Sequence, residues 1–422
     1  MKILHTSDWH LGREFYGYDL REYQEQFLAQ MLGLLREFQP DALVIAGDVL
    51  DKKNPADADV LMLSEFICAA NEYCHVVIIS GNHDGASRLG FLSDVLHRVG
   101  VHIVSRGSQV GIPIEIPNRE GNLAGRLYPI PYLYPHQERE ELSTWTDTEG
   151  NPHPDAWLEQ NAAHSESEAP QHRLLPGKTG IINAAALRRI GNDILARGRT
   201  VPLIGIAHDN FTKNFTPPED EVGKYTVGSL PNVDNTVLAT LGGVVSGNQG
   251  LDYFALGHIH KCYPVIKSSG FEAWYSGSPL PYATDDTNDK YVLAVEINPA
   301  HEVTVEKIPL SMPYQVCEFN DSFENLLNLG NPKYAGLHDA FCQITLTENY
   351  TPENALQRIK SIFPRMTRLQ TSSKTGGTAK WVTEAVSPLE FTKTFLKNAQ
   401  CSEEAILLVE TIYEELVKGG SK

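Results

Sequence analysis

Short apolar runs followed directly by potential metal ligands occur five times in the first 260 residues of the chain. The first run leads into Thr6-Ser7-Asp8-Trp9-His10. Side chains two positions apart in an extended chain lie on the same face, so Asp8 and His10 are expected to point the same way. The other four runs are followed by Asp48, Asn82, His208, and the pair His258 and His260.

The segments between these runs predict alternating helices and strands. Apolar residues recur at helical spacing over 22–38 and 58–71, whereas 41–46, 76–80, 203–207 and 253–257 read as buried strands. This alternation is typical of a layered α/β fold, in which ligand sites lie beyond the carboxyl ends of the strands. The five strand ends are therefore expected to meet at one edge.

The donor set favours two metal ions. Carboxylate, amide and imidazole donors without thiolate suit Mn²⁺, Fe²⁺ or Zn²⁺ better than Ca²⁺. Seven donors are more than one metal site uses. Two ions ~3.5–4 Å apart that share one carboxylate would use all seven donors, and such a pair of ions suits displacement at phosphorus. Any single histidine here could be an ordinary hydrogen-bonded core residue, but the full set favours metal binding.

Charge and cysteine usage restrict the class of protein further. A net charge of −18 is unusual for a protein that grips DNA unaided, so a nucleic-acid substrate would imply that a partner supplies part of the binding surface. The six cysteines form no C-x-x-C pair and are expected to be reduced thiols. The chain shows no secretory signal and no long apolar run, so a cytoplasmic location without membrane insertion is expected.

Composition suggests four regions. Residues 1–289 hold the strand-end donors and include an acidic stretch, 134–173, interpreted as a loosely ordered, solvated excursion. Residues 290–371 read as a small α+β domain of successive strands and short helices, and 372–386 as a linker.

Residues 387–422 predict two amphipathic helices beyond the linker. Their apolar stripes either dock back on the chain or receive a helix of a partner. The candidate partner-binding residues are Phe391, Phe395, Val409, Ile412 and Leu416.

The blocks Asp8-Trp9-His10, Gly47-Asp48, Gly81-Asn82-His83-Asp84, His208 and Gly257-His258-Ile259-His260 resemble the five signature blocks of the calcineurin-like metallophosphoesterases. More narrowly, residues 3–12, Gly47-Asp48-Val49-Leu50-Asp51 and Tyr275-Ser276-Gly277-Ser278-Pro279 resemble the Mre-type nucleases, whose bacterial members are the nuclease components of SbcCD complexes. Two positions depart from the family pattern: Ala207 stands where glycine is usual, and Leu50 where phenylalanine is common.

The resemblance implies a fold and a ligand set. The fold would be a four-layer sandwich of two mixed β-sheets flanked by helices, with 290–371 as a capping domain. One metal would be held by Asp8, His10, Asp48 and His260, and the other by Asp48, Asn82, His208 and His258. His83 would face the scissile phosphate as a catalytic residue, oriented by Asp84.

The resemblance also implies activity and partners. The activity would be Mn²⁺-dependent DNA hydrolysis, with Mg²⁺, Fe²⁺ or Zn²⁺ as other candidate ions: 3′–5′ exonuclease action on duplex ends and endonuclease action on single strands and hairpins. The protein would act in DNA double-strand-break repair as a homodimer that forms a heterotetramer with an SbcC-type coiled-coil ATPase. Two alternatives are a phosphoesterase for cyclic nucleotides or phosphoproteins, and a scaffold with a vestigial site.

Overall fold

A computed structural model describes residues 1–147, 149–160, 174–211, 250–268, 270–348 and 350–372, together with Val409. The strands are β1 Lys2–Thr6, β2 Glu14–Phe15, β3 Tyr18–Asp19, β4 Ala42–Ala46, β5 His75–Ile79, β6 Val101–Val104, β7 Ile114–Pro117, β8 Leu123–Ile130, β9 Thr144–Thr146, β10 Pro152–Pro154, β11 Leu203–His208, β12 Tyr253–Gly257, β13 Tyr263–Ser268, β14 Phe271–Tyr275, β15 Tyr291–Ile297, β16 Val303–Pro309, β17 Val316–Asp321, β18 Phe341–Leu346 and β19 Met366–Thr371. The α-helices are α1 Arg21–Phe38, α2 Asp57–Asn71, α3 Ala86–Leu89, α4 Ser93–Leu96, α5 Pro135–Leu142, α6 Ala156–Gln160, α7 Thr179–Arg197, α8 Phe323–Leu327 and α9 Ala355–Lys360. Short 3₁₀ turns lie at His97–Val99, Gly107–Gln109 and Pro332–Tyr334.

Two six-stranded mixed sheets form the centre of the molecule. The first has the order β16-β15-β1-β4-β5-β6 and the second β13-β14-β12-β11-β8-β7. Each sheet contains four neighbouring parallel strands, β1-β4-β5-β6 and β8-β11-β12-β14, which are largely apolar, as expected of strands covered on both faces.

Three apolar cores separate four layers. One core lies between the sheets and includes Val44, Ile204 and Ala255. A second packs α1 and α2 on the first sheet, and a third packs α7 on the second sheet. The predicted four-layer α/β sandwich is confirmed.

Helix boundaries follow from local sequence. Helix α1 ends at Phe38, and Gln39 takes the left-handed conformation (φ 51°) while its N–H donates to the carbonyl of Leu35. Pro40 then prevents the helix from continuing, because proline has no N–H and clashes with the preceding turn.

A small three-stranded sheet, β17-β18-β19, packs with α8 and α9 around its own core. Two strands that the sequence pattern assigns to this small domain, β15 and β16, instead extend the first large sheet, where β15 pairs antiparallel with β1. The strands of the small sheet therefore begin at residue 316 rather than near 290. Apolar periodicity identifies a strand but not its partner, which explains the difference.

The acidic stretch is more ordered than its composition suggests. Within its described residues, 134–147 and 149–160, it forms α5, the β9–β10 hairpin and α6. Leu142 and Leu158 join the core of the second sheet, and Asp155 accepts hydrogen bonds of 2.9 and 2.6 Å from Arg188 on α7. The interpretation as a solvated loop is wrong for this part, because its arginine partners lie later in the chain.

The predicted linker and tail lie mostly outside the described residues. Of the candidate partner-binding residues, Phe391, Phe395, Ile412 and Leu416 are not described, and Val409 is described without its neighbours. Among the helices that the structure does describe, none is both long enough and apolar enough to cross a bilayer.

Candidate metal centre

The carboxyl ends of five strands bring the predicted ligands to one place. β1, β4 and β5 are neighbours in the first sheet, and β11 and β12 are neighbours in the second. Two hydrogen bonds join the sheet ends: His208 Nδ1 donates to the carbonyl of Ala46 at 2.8 Å, and the His258 N–H donates to Asp8 at 3.1 Å. The structure thus collects all seven predicted donor residues at one edge of the sandwich.

Several of these residues have an uncommon backbone conformation. Asp8, His10, Asp48 and His258 have φ values of 55°, 46°, 49° and 102°. Positive φ costs free energy in residues other than glycine, and it persists where the surroundings impose it, often at functional sites. Here the loops after β1 and β4 lie side by side, with Asp8 N–H donating to Gly47 O at 3.0 Å and His10 N–H to Asp48 O at 2.9 Å.

A glycine permits the close approach of the two sheet ends. A Cβ atom at Gly257 would lie 1.8 Å from the carbonyl oxygen of Ala46 and 2.8 Å from His208 Nδ1. Any side chain at this position would therefore push β12 away from β4 and separate the donors.

The donors form two adjoining clusters. In the first, His10 Nε2 lies 3.2 Å from His260 Nε2 and 3.7 Å from Asp48 Oδ2, and ligand atoms of Asp8, His10 and His260 lie within 4.8 Å of one another. In the second, Asn82 Oδ1 lies 3.1 Å from His208 Nε2 and 3.0 Å from His258 Nδ1. Asp48 Oδ2, 3.3 Å from His208 Nε2, belongs to both clusters.

This geometry fits divalent ions. Ligand bonds of about 2.1 Å at tetrahedral or octahedral angles place neighbouring donor atoms roughly 3.0–3.4 Å apart. The separations of 3.0, 3.1, 3.2 and 3.3 Å in the two clusters match that spacing. The mixture of oxygen and imidazole donors suits a borderline transition metal.

The electrostatics of the buried carboxylates also favour cations. Burial raises the pKa of Asp8, and the neighbouring Asp48 carboxylate raises it further. Burial would lower the pKa of His208, but Asp48 overrides that effect and raises the pKa to about 10. A divalent ion between the two carboxylates would relieve their mutual repulsion.

The two histidines after β12 have the opposite tendency. Burial, together with the charge of His208, lowers the pKa of His258 to about 3. Burial and the neighbouring His10 hold the pKa of His260 well below its ordinary value. Both imidazoles are therefore neutral near pH 7, which is the form that coordinates metals.

His83 lies at the edge of the donor clusters. Its ring centroid is 4.7 Å from that of His10, and its backbone N–H donates to Asp48 Oδ1 at 2.8 Å. Its Nδ1 lies 2.9 Å from the carbonyl oxygen of Asp51, so the bond fixes the proton on Nδ1 and leaves Nε2 for another partner.

Asp84 does not have the surroundings that the sequence interpretation gives it. Its buried carboxylate accepts backbone N–H bonds from Gly81 (2.8 Å), Leu50 (2.9 Å) and Val49 (3.3 Å). The group placed at His83 Nδ1 is the carbonyl of Asp51. Asp84 therefore ties the loop after β5 to the loop after β4 and does not orient the His83 ring.

Several contributing residues are not apparent from ligand spacing. The Tyr282 ring packs against the rings of His10 and His260, with centroids 5.4 and 5.8 Å apart, and its hydroxyl donates to the Trp9 carbonyl. The Arg13 guanidinium lies over the same Tyr282 ring, 5.0 Å from its centroid, and pairs with Asp51 at 3.0 Å. Arg13 directly follows the block that carries Asp8, and Asp51 ends the block that carries Asp48, which is the sequence signal that could have identified them.

Comparison with known proteins gives consistent matches. The sequence profile of the calcineurin-like phosphoesterase family matches residues 1–262, which contain all seven donors and His83. The SbcD component of the SbcCD nuclease of Escherichia coli K12 is 28% identical over 322 residues, covering 75% of this chain and 70% of that protein. The SbcD protein from Bacillus subtilis is 30% identical over 320 residues (74% and 70%), and that from Staphylococcus epidermidis 25% over 380 residues (87% and 85%).

Proposed function

The chain belongs to the calcineurin-like phosphoesterase family, and on that premise we propose that it is a metal-dependent nuclease that hydrolyses phosphodiester bonds in DNA during double-strand-break repair. The observation that carries the proposal is the pair of donor clusters that share Asp48 at the junction of the two sheets. The relatives named as nucleases supply the substrate class, and a cytoplasmic location is part of the proposal.

The two ions would be held as the family resemblance implies. Asp8, His10, Asp48 and His260 would bind one, and Asp48, Asn82, His208 and His258 the other, with Mn²⁺ as the proposed metal. When bound, such ions activate water near neutral pH and neutralise the charge of the phosphate. The described donors, without thiolate, suit this role.

Side chains of this protein would then orient the substrate and supply the proton that the leaving oxygen takes. With Nδ1 bonded to the Asp51 carbonyl, His83 has Nε2 available to stabilise the phosphate or to hold the proton that the leaving oxygen takes. Arg13, held by Asp51 and Tyr282, places a permanent positive charge beside the His10–His260 cluster, where a phosphate oxygen would need it.

We also propose that the protein acts as a homodimer. A run of large apolar side chains follows the His83–Asp84 block on α4 and its flanking residues, where Phe91 is 70% exposed and Val99 63%. Leu92 and Val95 are exposed on the same segment. These four exposed apolar side chains lie within residues 91–99, and a second copy of the chain could cover them.

The partner would be an SbcC-type coiled-coil ATPase bound through residues 387–422, giving a heterotetramer. The names of the relatives and the amphipathic pattern of the tail support this part of the proposal. The net charge of −18 also suggests that another protein supplies part of the DNA-binding surface.

A substrate comparison tests the function. The full-length protein is incubated with Mn²⁺ and either linear duplex DNA or bis(p-nitrophenyl) phosphate, with and without the ATPase. We expect DNA shortening that the ATPase stimulates and that chelation abolishes. Hydrolysis of the small ester with DNA left intact under all conditions would contradict the nuclease assignment and favour a small-molecule or phosphoprotein phosphoesterase.

A further inference from the structure

Lys290 is a buried lysine directly behind the metal centre. Its side chain is 2% exposed, and it immediately precedes β15. The ammonium group lies 2.8 and 2.9 Å from the carboxylate oxygens of Asp286, 3.0 Å from Ser278 Oγ and 3.1 Å from the carbonyl oxygen of His260. An ammonium has three N–H donors, so these three residues satisfy it completely.

The contact with His260 is part of a tight backbone arrangement. The same His260 carbonyl accepts the Ser278 N–H at 3.1 Å. Gly277 has φ 77°, and a Cβ there would lie 2.7 Å from that carbonyl oxygen. The segment around Ser278 thus passes directly against the peptide group of His260, and Lys290 fixes both.

Asp286 extends this support to the side-chain face of the site. Besides pairing with Lys290, it accepts the Tyr282 N–H at 3.2 Å. The Tyr282 ring is the one that packs against His10 and His260. The ion pair therefore holds His260 from two directions, through its carbonyl and through the aromatic wall beside its ring.

The location of the ion pair explains why such support is needed. His260 follows β12 of the second sheet, whereas Lys290 leads into β15, which pairs with β1 of the first sheet. His260 lies three residues beyond its strand, in an irregular segment outside the ladder of the sheet. A buried charge costs free energy unless it is paired, and it forces its partners into a defined geometry.

We infer that Lys290, with Asp286 and Ser278, is a positioning residue that holds His260 in place as a ligand of one of the two metal ions. The inference rests on the proposed metal binding by this centre, but not on the identity of the substrate. Within the described part of the chain, the hydrogen-bond partners of the Lys290 ammonium include none of the donors Asn82, His208 and His258. The second ion should therefore be affected little.

Calorimetric titration of metal-free, full-length protein with MnCl₂ tests the inference. The variants are Lys290→Met, which replaces the aliphatic part of the side chain but removes the ammonium group, and Ser278→Ala, which removes one acceptor. Lys267→Met, on the exposed face of β13, is the matched control. We expect one of two Mn²⁺ ions to bind about ten-fold more weakly in Lys290→Met, about three-fold more weakly in Ser278→Ala, and unchanged in the control.

Nuclease activity provides the second measurement. If Lys290 acts on one ion, raising the Mn²⁺ concentration should restore activity in Lys290→Met, which a general loss of folding would not allow. Unchanged affinity for both ions in Lys290→Met, or equal weakening of both, would overturn the inference. If Lys290→Met fails to fold, Ser278→Ala alone tests the inference. Unchanged Mn²⁺ binding in Ser278→Ala would then overturn the inference. Absence of Mn²⁺ binding by the unaltered protein would instead contradict the proposed function.

Discussion

Asp48 Oδ2, beyond the carboxyl end of a strand in the first sheet, lies 3.3 Å from His208 Nε2, at the carboxyl end of a strand in the second. The same carboxylate also lies 3.7 Å from His10 Nε2. Asp48 therefore contacts donors from both halves of the sandwich, and an ion pair or metal bridge at this point links sheet packing directly to the function of the site.

Replacing His83 with glutamine should reduce cleavage of DNA while leaving metal binding unchanged. The ring donates to the Asp51 carbonyl and offers Nε2 to the substrate, so its loss removes proton transfer but no metal ligand. We expect kcat to fall by about 10²–10⁴-fold. Hydrolysis of bis(p-nitrophenyl) phosphate, whose leaving group needs no proton, should fall much less, and an equal loss on both substrates would argue against proton donation. His136→Gln, an exposed histidine on α5, is the control.

Asp84→Asn should reduce stability more than catalysis. The carboxylate accepts three backbone N–H bonds, and an amide presents an N–H₂ group to at least one of these donors. We expect a loss of about 1–3 kcal/mol in the free energy of unfolding, measured with urea. A stable variant with strongly reduced kcat would restore a direct catalytic role for Asp84.

His5 should make the protein less stable in mild acid. Burial lowers the pKa of His5 to about 3, and its two ring nitrogens bond to Tyr253 Oη and the Leu256 carbonyl. The unfolded chain takes up the proton near pH 6.5 and the folded chain does not, so stability falls as pH drops below about 6.5 and continues to fall towards the folded pKa.

This effect can be isolated by comparing denaturant unfolding of the parent protein and His5→Gln at pH 7 and pH 5, both with chelator. Between pH 7 and pH 5, the free energy of unfolding of the parent protein should fall by about 2 kcal/mol more than that of the variant. Parallel losses in the two proteins would show that His5 does not contribute to acid sensitivity.

Val95→Glu should dissociate the proposed homodimer. Val95 is exposed within the apolar run that follows the His83–Asp84 block, and a charge there cannot be buried against a second copy without a large cost. Sedimentation should show a dimer for the parent protein and a monomer for the variant. Leu195→Glu, at an exposed apolar position on α7, should remain dimeric; a monomeric parent, or a dimeric Val95→Glu, would place the interface elsewhere or exclude it.

The sequence alone predicts which residues the fold brings to one edge, because the five blocks of donors each lie at the end of a strand. Asp8, Asp48, Asn82, His208 and His258 all follow apolar runs whose length and composition are local properties. Contacts between distant segments are not predictable in this way. The pairing of β15 with β1, the Asp155–Arg188 bonds and the backbone role of Asp84 each depend on a partner that no local pattern identifies.

The same limit applies to the support of the ligands. Lys290 looks like any lysine before a strand, and only the folded chain brings it to the His260 carbonyl. The backbone strain at Asp8 and Asp48 is likewise invisible in sequence, because the hydrogen bonds between the loops after β1 and β4 form only in the folded chain.

The most direct test of the two-metal centre is the number of Mn²⁺ ions bound per chain, measured by titration calorimetry of metal-free protein and checked by anomalous diffraction from crystals grown with Mn²⁺. The shared position of Asp48 predicts two ions in the parent protein, and weakened binding of both ions in Asp48→Asn. A single ion in the parent, or two ions with unchanged affinity in Asp48→Asn, would contradict the proposal that this carboxylate bridges a two-metal nuclease site.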